Sequence, residues 1–82
     1  MYKTKTCPFC VRAEALLKQK GVAYIQQIDV TGNDELRSEM MQKSGGRKSV
    51  PQIFINDAHI GGCDDLHALN DAGKLDKLLA SR

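Results

Sequence analysis

Cys7-Pro8-Phe9-Cys10 sets the reading of this chain. The two cysteines stand three positions apart, and a proline follows the first. Proline suits the first position of a helix, where its missing N–H is not needed and its fixed φ is already helical. Thr6 or Cys7 is then the capping residue. The spacing brings two thiols within disulfide reach and puts the first at the positive end of a helix. A thiol placed there is expected to be acidic and reactive. The motif implies thiol–disulfide chemistry, and metal binding is the other use of such a pair.

Working outward, the helix that begins at this motif runs over 7–20. Cys10, Ala13, Leu16 and Leu17 give it an apolar stripe at spacings of three and four. Gly21 stops it, with Lys18 and Lys20 near its end. Residues 1–4 read as a short strand and 22–30 as a β-rich run. Asn33 or Asp34 caps a second helix that reaches about Ser44, with Leu36, Met40 and Met41 inward. Residues 51–55 form a strand, Asn56-Asp57 a turn, and His59-Ile60 a return strand. Asp64 to about Ala72 is a third helix, and Lys74 to Ala80 a last short one. The order β-α-β-α-β-β-α predicts an α/β domain over residues 1–82. A helix between the first two strands makes them parallel neighbours, and the tight turn makes the last two antiparallel. The result is a four-stranded mixed sheet with helices on both faces. The cysteine pair falls at the carboxyl end of the first strand, where open α/β sheets place their sites.

The composition narrows the function class. The chain has 82 residues, 41% hydrophobic and 27% charged, with a net charge of +2, the profile of a small folded domain. No apolar run approaches the length of a membrane-spanning helix. No secretory signal is visible after Met-Tyr-Lys-Thr-Lys, which favours the cytoplasm unless the chain is a processed fragment. Three cysteines make an odd set, unlike a secreted disulfide scaffold. Lys3, Lys5, Arg12, Lys18 and Lys20 surround the cysteine pair against Glu14 alone. That excess favours a thiolate and small anions, although most surface lysines are simply solvated. Nucleic-acid binding is not expected, because there is no basic run and aromatics make up only 5%. His59 and His67 do not give zinc spacing with the cysteines; they read as a strand residue and an exposed helix residue. Met40-Met41 reads as core.

Three segments together carry a resemblance. Cys7-Pro8-Phe9-Cys10, Ser49-Val50-Pro51 and Gly61-Gly62-Cys63-Asp64-Asp65 occur in this order and at spacings that resemble the glutaredoxins, glutathione-dependent members of the thioredoxin fold. Gln52-Ile53-Phe54-Ile55 and His59 to Leu66 make the bacterial glutaredoxin 3 type the most similar. The resemblance implies a dithiol enzyme that reduces glutathione mixed disulfides and protein disulfides. Cys7 would attack and Cys10 would resolve. Pro51 would be cis and face the cysteines, although a plain strand start also tolerates proline. Val50 would offer its backbone to glutathione as an added strand does. Gly62, Cys63 and Asp64 would hold the γ-glutamyl end at a helix N-terminus, although a capped helix start with first-turn acids fits the sequence equally. Cys63 reads as a packed small residue. Phe9 stands where the family commonly has tyrosine and would pack beside the ligand. Arg37 matches a basic position that serves the glycyl carboxylate, with Arg47 and Lys48 as weaker candidates. Thr4 stands where the family has a lysine, so Lys3 or Lys5 would substitute, and Lys5 is assigned to the site. Before Tyr2 the family's first strand carries several apolar residues, where this chain has only Met1: a shortened strand, or a missing beginning.

These features imply glutathione as reducing co-substrate, no tightly bound cofactor or metal, disulfide-bearing proteins as partners, no nucleic-acid or membrane partner, and a monomer. Two rivals stand beside that reading. One is a related protein recycled by a thioredoxin reductase, against which the Gly61–Asp65 segment argues. The other is an iron–sulfur cluster carrier that uses Cys7 and glutathione. Many such carriers have Cys-Gly-Phe-Ser, so Cys-Pro-Phe-Cys favours the redox enzyme.

Overall fold

The computed structural model describes residues 1–80, so the last two positions of the expected 1–82 domain lie outside the described residues. The order is β1 (Tyr2–Lys3), α1 (Pro8–Gln19), β2 (Ile28–Asp29), α2 (Asp34–Lys43), β3 (Ile53–Ile55), β4 (Ala58–Gly61), α3 (Cys63–Asp71) and α4 (Leu75–Ala80). β1 and β2 are parallel, with Tyr2 opposite Ile28 and Lys3 opposite Asp29. β3 and β4 are antiparallel. The two ladders meet at a single antiparallel bridge between Tyr2 and Gln52. Its bonds run from the Tyr2 N–H to the Gln52 carbonyl (2.9 Å) and from the Gln52 N–H to the Tyr2 carbonyl (3.2 Å).

The expected four-stranded sheet is therefore two short ladders hinged on one bridge, with β1 inside. The strand expected over 22–30 shrinks to Ile28–Asp29, and that over 1–4 to Tyr2–Lys3. The cause is pairing. A run of β-forming side chains becomes a strand only where a neighbour offers backbone groups, and β1 offers two residues. Val22 is still buried, but as a loop residue, and Tyr24 stands 79% exposed.

Alternation along β3 sorts the layers. Ile53 and Ile55 face the cluster formed by Ala13, Leu16 and Leu17 of α1, Leu66 of α3, and Leu75 and Leu79 of α4. Phe54 faces Tyr2, Val30 and Met40, the α2 side. Helices thus cover both faces, as expected. Each fully buried side chain such as Met40, Ile53 or Leu66 contributes about 1.5–3 kcal/mol of apolar transfer.

The ends of the elements match their sequence signals. Pro8 opens α1 and the Cys7 side chain caps it. The Asn33 carboxamide oxygen accepts from the Leu36 N–H at 3.0 Å to cap α2. Asn56 and Asp57 both take positive φ, as a two-residue hairpin turn requires. β4 then carries a bulge: Ile53 pairs with Gly61 while Phe54 pairs with His59. The bulge lies immediately before the Gly61-Gly62 elbow that leads into α3.

Candidate active site

Cys7 and Cys10 are joined in a disulfide with their Cα atoms 5.2 Å apart. Both are buried, Cys7 at 8% and Cys10 at 4% exposure, so the expected difference in exposure is slight. The Cys10 N–H donates to Cys7 Sγ at 3.1 Å. Capping and chemistry are therefore one arrangement: the sulfur that caps the helix is the sulfur that receives its dipole. The first turn of α1 holds no acidic residue. Arg12 places its guanidinium 5.7 Å from the centroid of the Phe9 ring, which is 52% exposed.

A cleft of about 180 Å³ adjoins this motif, lined by Phe9, Arg47, Ser49, Val50, Pro51 and the Gly62–Asp65 turn. Six of the residues expected to bind ligand meet there: Phe9, Val50, Pro51, Gly62, Cys63 and Asp64. The Val50–Pro51 peptide is cis, as the resemblance implied. Among the described residues, no hydrogen bond engages the Val50 N–H or carbonyl, so both are open to a ligand's backbone. Neither Cys7 nor Cys10 lines the smaller cleft, which reaches the motif through Phe9; a larger cleft of about 650 Å³ lies across Tyr24–Gln26 and Ile53–Asp57 and includes no residue of the motif. Size alone does not locate the chemistry.

The N-terminus of α3 forms the opposite wall. Asp65 reaches back so that its carboxylate accepts from the Gly62 N–H and from Arg47 Nη1, both at 2.9 Å. These two partners, the backbone N–H first, hold the Asp65 carboxyl below the usual carboxylate range. Gly61 sits at φ 123°, and a Cβ there would collide with the Asp65 carboxylate and come within 2.8 Å of Arg47 Nη1. Only glycine lets the strand turn this close to the pair. Asp64 points outward, exposed beside the paired Asp65. Cys63 is buried, and burial and then Asp64 push its thiol up, so it stays protonated at neutral pH.

Two expected residues lie elsewhere. Lys5 is exposed and does not line the cleft; its backbone N–H donates to Thr31 Oγ1 at 3.0 Å. Arg37 also lies outside the lining and donates from Nη1 to the Lys48 carbonyl at 3.1 Å. Arg47, a weaker candidate in the sequence, lies in the wall instead. Its pairing with Asp65, across eighteen residues of chain, has no local sequence signature. Among the described residues no cluster of three or more His, Cys, Asp or Glu side chains is arranged to hold a metal, and no helix is long and apolar enough to cross a membrane.

The Glutaredoxin family model matches residues 1–60. A probable glutaredoxin of Synechocystis sp. is 56% identical over 81 residues, covering 99% of this chain and 91% of the relative. Glutaredoxin 3 of Escherichia coli K12 is 54% identical over 79 residues, covering 96% and 93%. Among solved structures, the buckwheat glutaredoxin–glutathione complex superposes with a TM-score of 0.87 at 31% identity, covering 98% of this chain and 74% of that one.

Proposed function

This chain belongs to the glutaredoxin family of thiol–disulfide oxidoreductases, with the thioredoxin fold, and on that premise we propose that glutathione is its electron donor and glutathione mixed disulfides its first substrates. The observation that carries the proposal is that one cleft is lined by Phe9 of the Cys7–Cys10 motif, by Val50 with its unpaired backbone, and by the α3 N-terminus. A γ-glutamyl tripeptide needs these three things: a sulfur partner, a short strand edge, and N–H groups for a carboxylate.

In the monothiol route, the Cys7 thiolate attacks the glutathione sulfur of a mixed disulfide. The substrate–glutathione S–S bond breaks, the substrate leaves as a thiolate and takes a proton, and Cys7 becomes glutathionylated. A second glutathione thiolate attacks that glutathione sulfur, releasing Cys7 thiolate and oxidised glutathione. In the dithiol route, Cys7 attacks a protein disulfide and Cys10 then attacks Cys7 Sγ. The substrate leaves as a dithiol and the Cys7–Cys10 disulfide remains. Two glutathiones reduce it, one at a time, to give oxidised glutathione.

The remaining roles are part of the same proposal, and the lining of the cleft supports them. The Val50 N–H and carbonyl pair with the cysteinyl residue of glutathione. Backbone N–H groups at Gly62–Asp64 hold the γ-glutamyl carboxylate, and the Asp64 carboxylate meets its ammonium. Pro51 and Phe9 flank the sulfur. Arg37 and Lys5 are the cations proposed for the glycyl carboxylate, because Arg47 is held by Asp65 at the γ-glutamyl end. The odd cysteine count supports a reducing compartment, the cytoplasm.

Paired variants test the roles. Cys7→Ser is expected to abolish turnover of a glutathionylated peptide. Cys10→Ser is expected to keep that turnover and lose reduction of a protein disulfide. Full activity in Cys7→Ser sinks the proposal.

A further inference from the structure

The loop that presents Val50 has no regular structure between the end of α2 and β3, yet it carries an ordered set of restraints. Three successive carbonyls each accept a hydrogen bond from a different side chain. The Ser44 hydroxyl donates to the Arg47 carbonyl at 3.1 Å. Arg37 Nη1 donates to the Lys48 carbonyl at 3.1 Å. Gln52 Nε2 donates to the Ser49 carbonyl at 2.9 Å and to Ser49 Oγ at 3.3 Å. The next residue, Val50, is the first without such a tie.

Gln52 is the centre of this set. It is fully buried at 0% exposure, an expensive place for a carboxamide unless every polar atom is matched. Every one is. Both donors go to Ser49, and Oε1 lies 2.8 Å from His59 Nε2. The Ser49 carbonyl only accepts, so the Gln52 NH₂ must face it and Oε1 must face the histidine. That fixes His59 as the donor, with the proton on Nε2. The Gln52 backbone is itself bonded in both directions to Tyr2 of β1. A side chain anchored to the inner strand thus grips the residue just before the ligand-facing one.

We propose that Gln52 is a positioning residue for substrate recognition, acting with Ser44 and Arg37 as a carbonyl clamp that fixes the Val50 backbone for pairing with a peptide ligand. This rests on the reading of Val50 given above. It also gives Arg37 a role that needs no contact with the ligand. Because the clamp acts on the recognition edge and not on the sulfurs, its loss weakens binding of peptide disulfides and leaves thiol chemistry intact.

The test uses two oxidised substrates on the full chain: a glutathionylated peptide, and hydroxyethyl disulfide, which has no backbone to pair. Gln52→Met keeps the side-chain length and the backbone bonds to Tyr2 while removing all three side-chain partners. Loss of a net hydrogen bond of ordinary strength corresponds to about a fivefold change. KM for the glutathionylated peptide is expected to rise by that factor or more, with kcat changed less than about twofold and the direct rate of Cys7 with hydroxyethyl disulfide unchanged. Ser44→Ala, a smaller change, is expected to raise the same KM about two- to threefold and decides the matter if Gln52→Met fails to fold. Folded variants with a wild-type KM overturn the clamp. Equal loss on both substrates also overturns it, since that is the mark of general damage. A wild-type protein with no preference for the glutathionylated peptide overturns the reading of Val50, and the clamp with it.

Discussion

Two helix N-termini border the same cleft and are built in opposite ways. α1 begins Cys7-Pro8-Phe9-Cys10, is capped by sulfur, and has no acid in its first turn. α3 begins after Gly62, is capped by the carboxylate of its own Asp65, and carries Asp64 and Asp65 in its first turn. α2, away from the cleft, also has two first-turn acids, Asp34 and Glu35. Acids near a helix start are stabilising, and two of these three helices use them. The helix that omits them is the one whose anion, on the proposed function, is the Cys7 thiolate. A carboxylate there would compete for the same N–H groups and repel the sulfur's charge. At α3, Asp65 is neutralised by Arg47, which leaves Asp64 as the outward charge. On the proposed function one end keeps an anion, and the other receives a ligand with both an anion and a cation.

This contrast can be broken at either end. The largest effect is expected at the α3 entry. Gly61→Ala places a methyl against the Asp65–Arg47 pair at a φ that other residues avoid. Backbone strain alone costs about 1–3 kcal/mol, so a lower denaturation midpoint and a weakened glutathione complex should appear together. At α1, Phe9→Glu puts an acid where none stands, with Phe9→Gln as the uncharged control. Removing dipole support of about 0.3–1 kcal/mol should slow iodoacetamide alkylation of reduced Cys7 at neutral pH roughly two- to fivefold relative to the Gln variant, and added salt should shrink the gap. The smallest effect is in the acid range. The Asp65 carboxyl is held below its ordinary value by the Gly62 N–H and Arg47, so its contribution to stability is present above the unfolded carboxylate range and is lost as pH falls through the lower, folded value. Asp65→Asn should remove that part of the acid dependence in a pH series of denaturation midpoints. An identical acid limb in both proteins counts against the pairing.

How much of this was legible depends on whether a feature is local. α1 could be read from Pro8 and Gly21, α2 from Asn33, and the hairpin from Asn56-Asp57, because each signal acts on its own backbone. The strand over 22–30 was misread in extent because β side chains report what a residue prefers, not whether a partner is present across the gap. The candidate ligand residues that proved to meet, Phe9, Val50, Pro51, Gly62, Cys63 and Asp64, lie on segments whose backbone was readable. Lys5 and Arg37 were placed at plausible positions, but a long cation is free to reach several acceptors. Arg37 found the Lys48 carbonyl. The Arg47–Asp65 pair and the Gln52–Tyr2 backbone bridge join segments distant in sequence, and only the folded chain brings them together.

The open backbone at Val50 has a further consequence, for solubility. Exposed strand edges recruit other chains, and proteins usually blunt them with charge, bulges or proline. Here the vacant edge at Val50 is flanked by groups that are already engaged. The carbonyls of Arg47, Lys48 and Ser49 are already occupied, Pro51 has no N–H to offer, and both Gln52 backbone groups are taken by Tyr2. On the proposed reading a tripeptide can pair with Val50, while another protein's strand meets carbonyls that are already occupied and a proline. The exposed backbone at Val50 is thereby a poor template for a further strand.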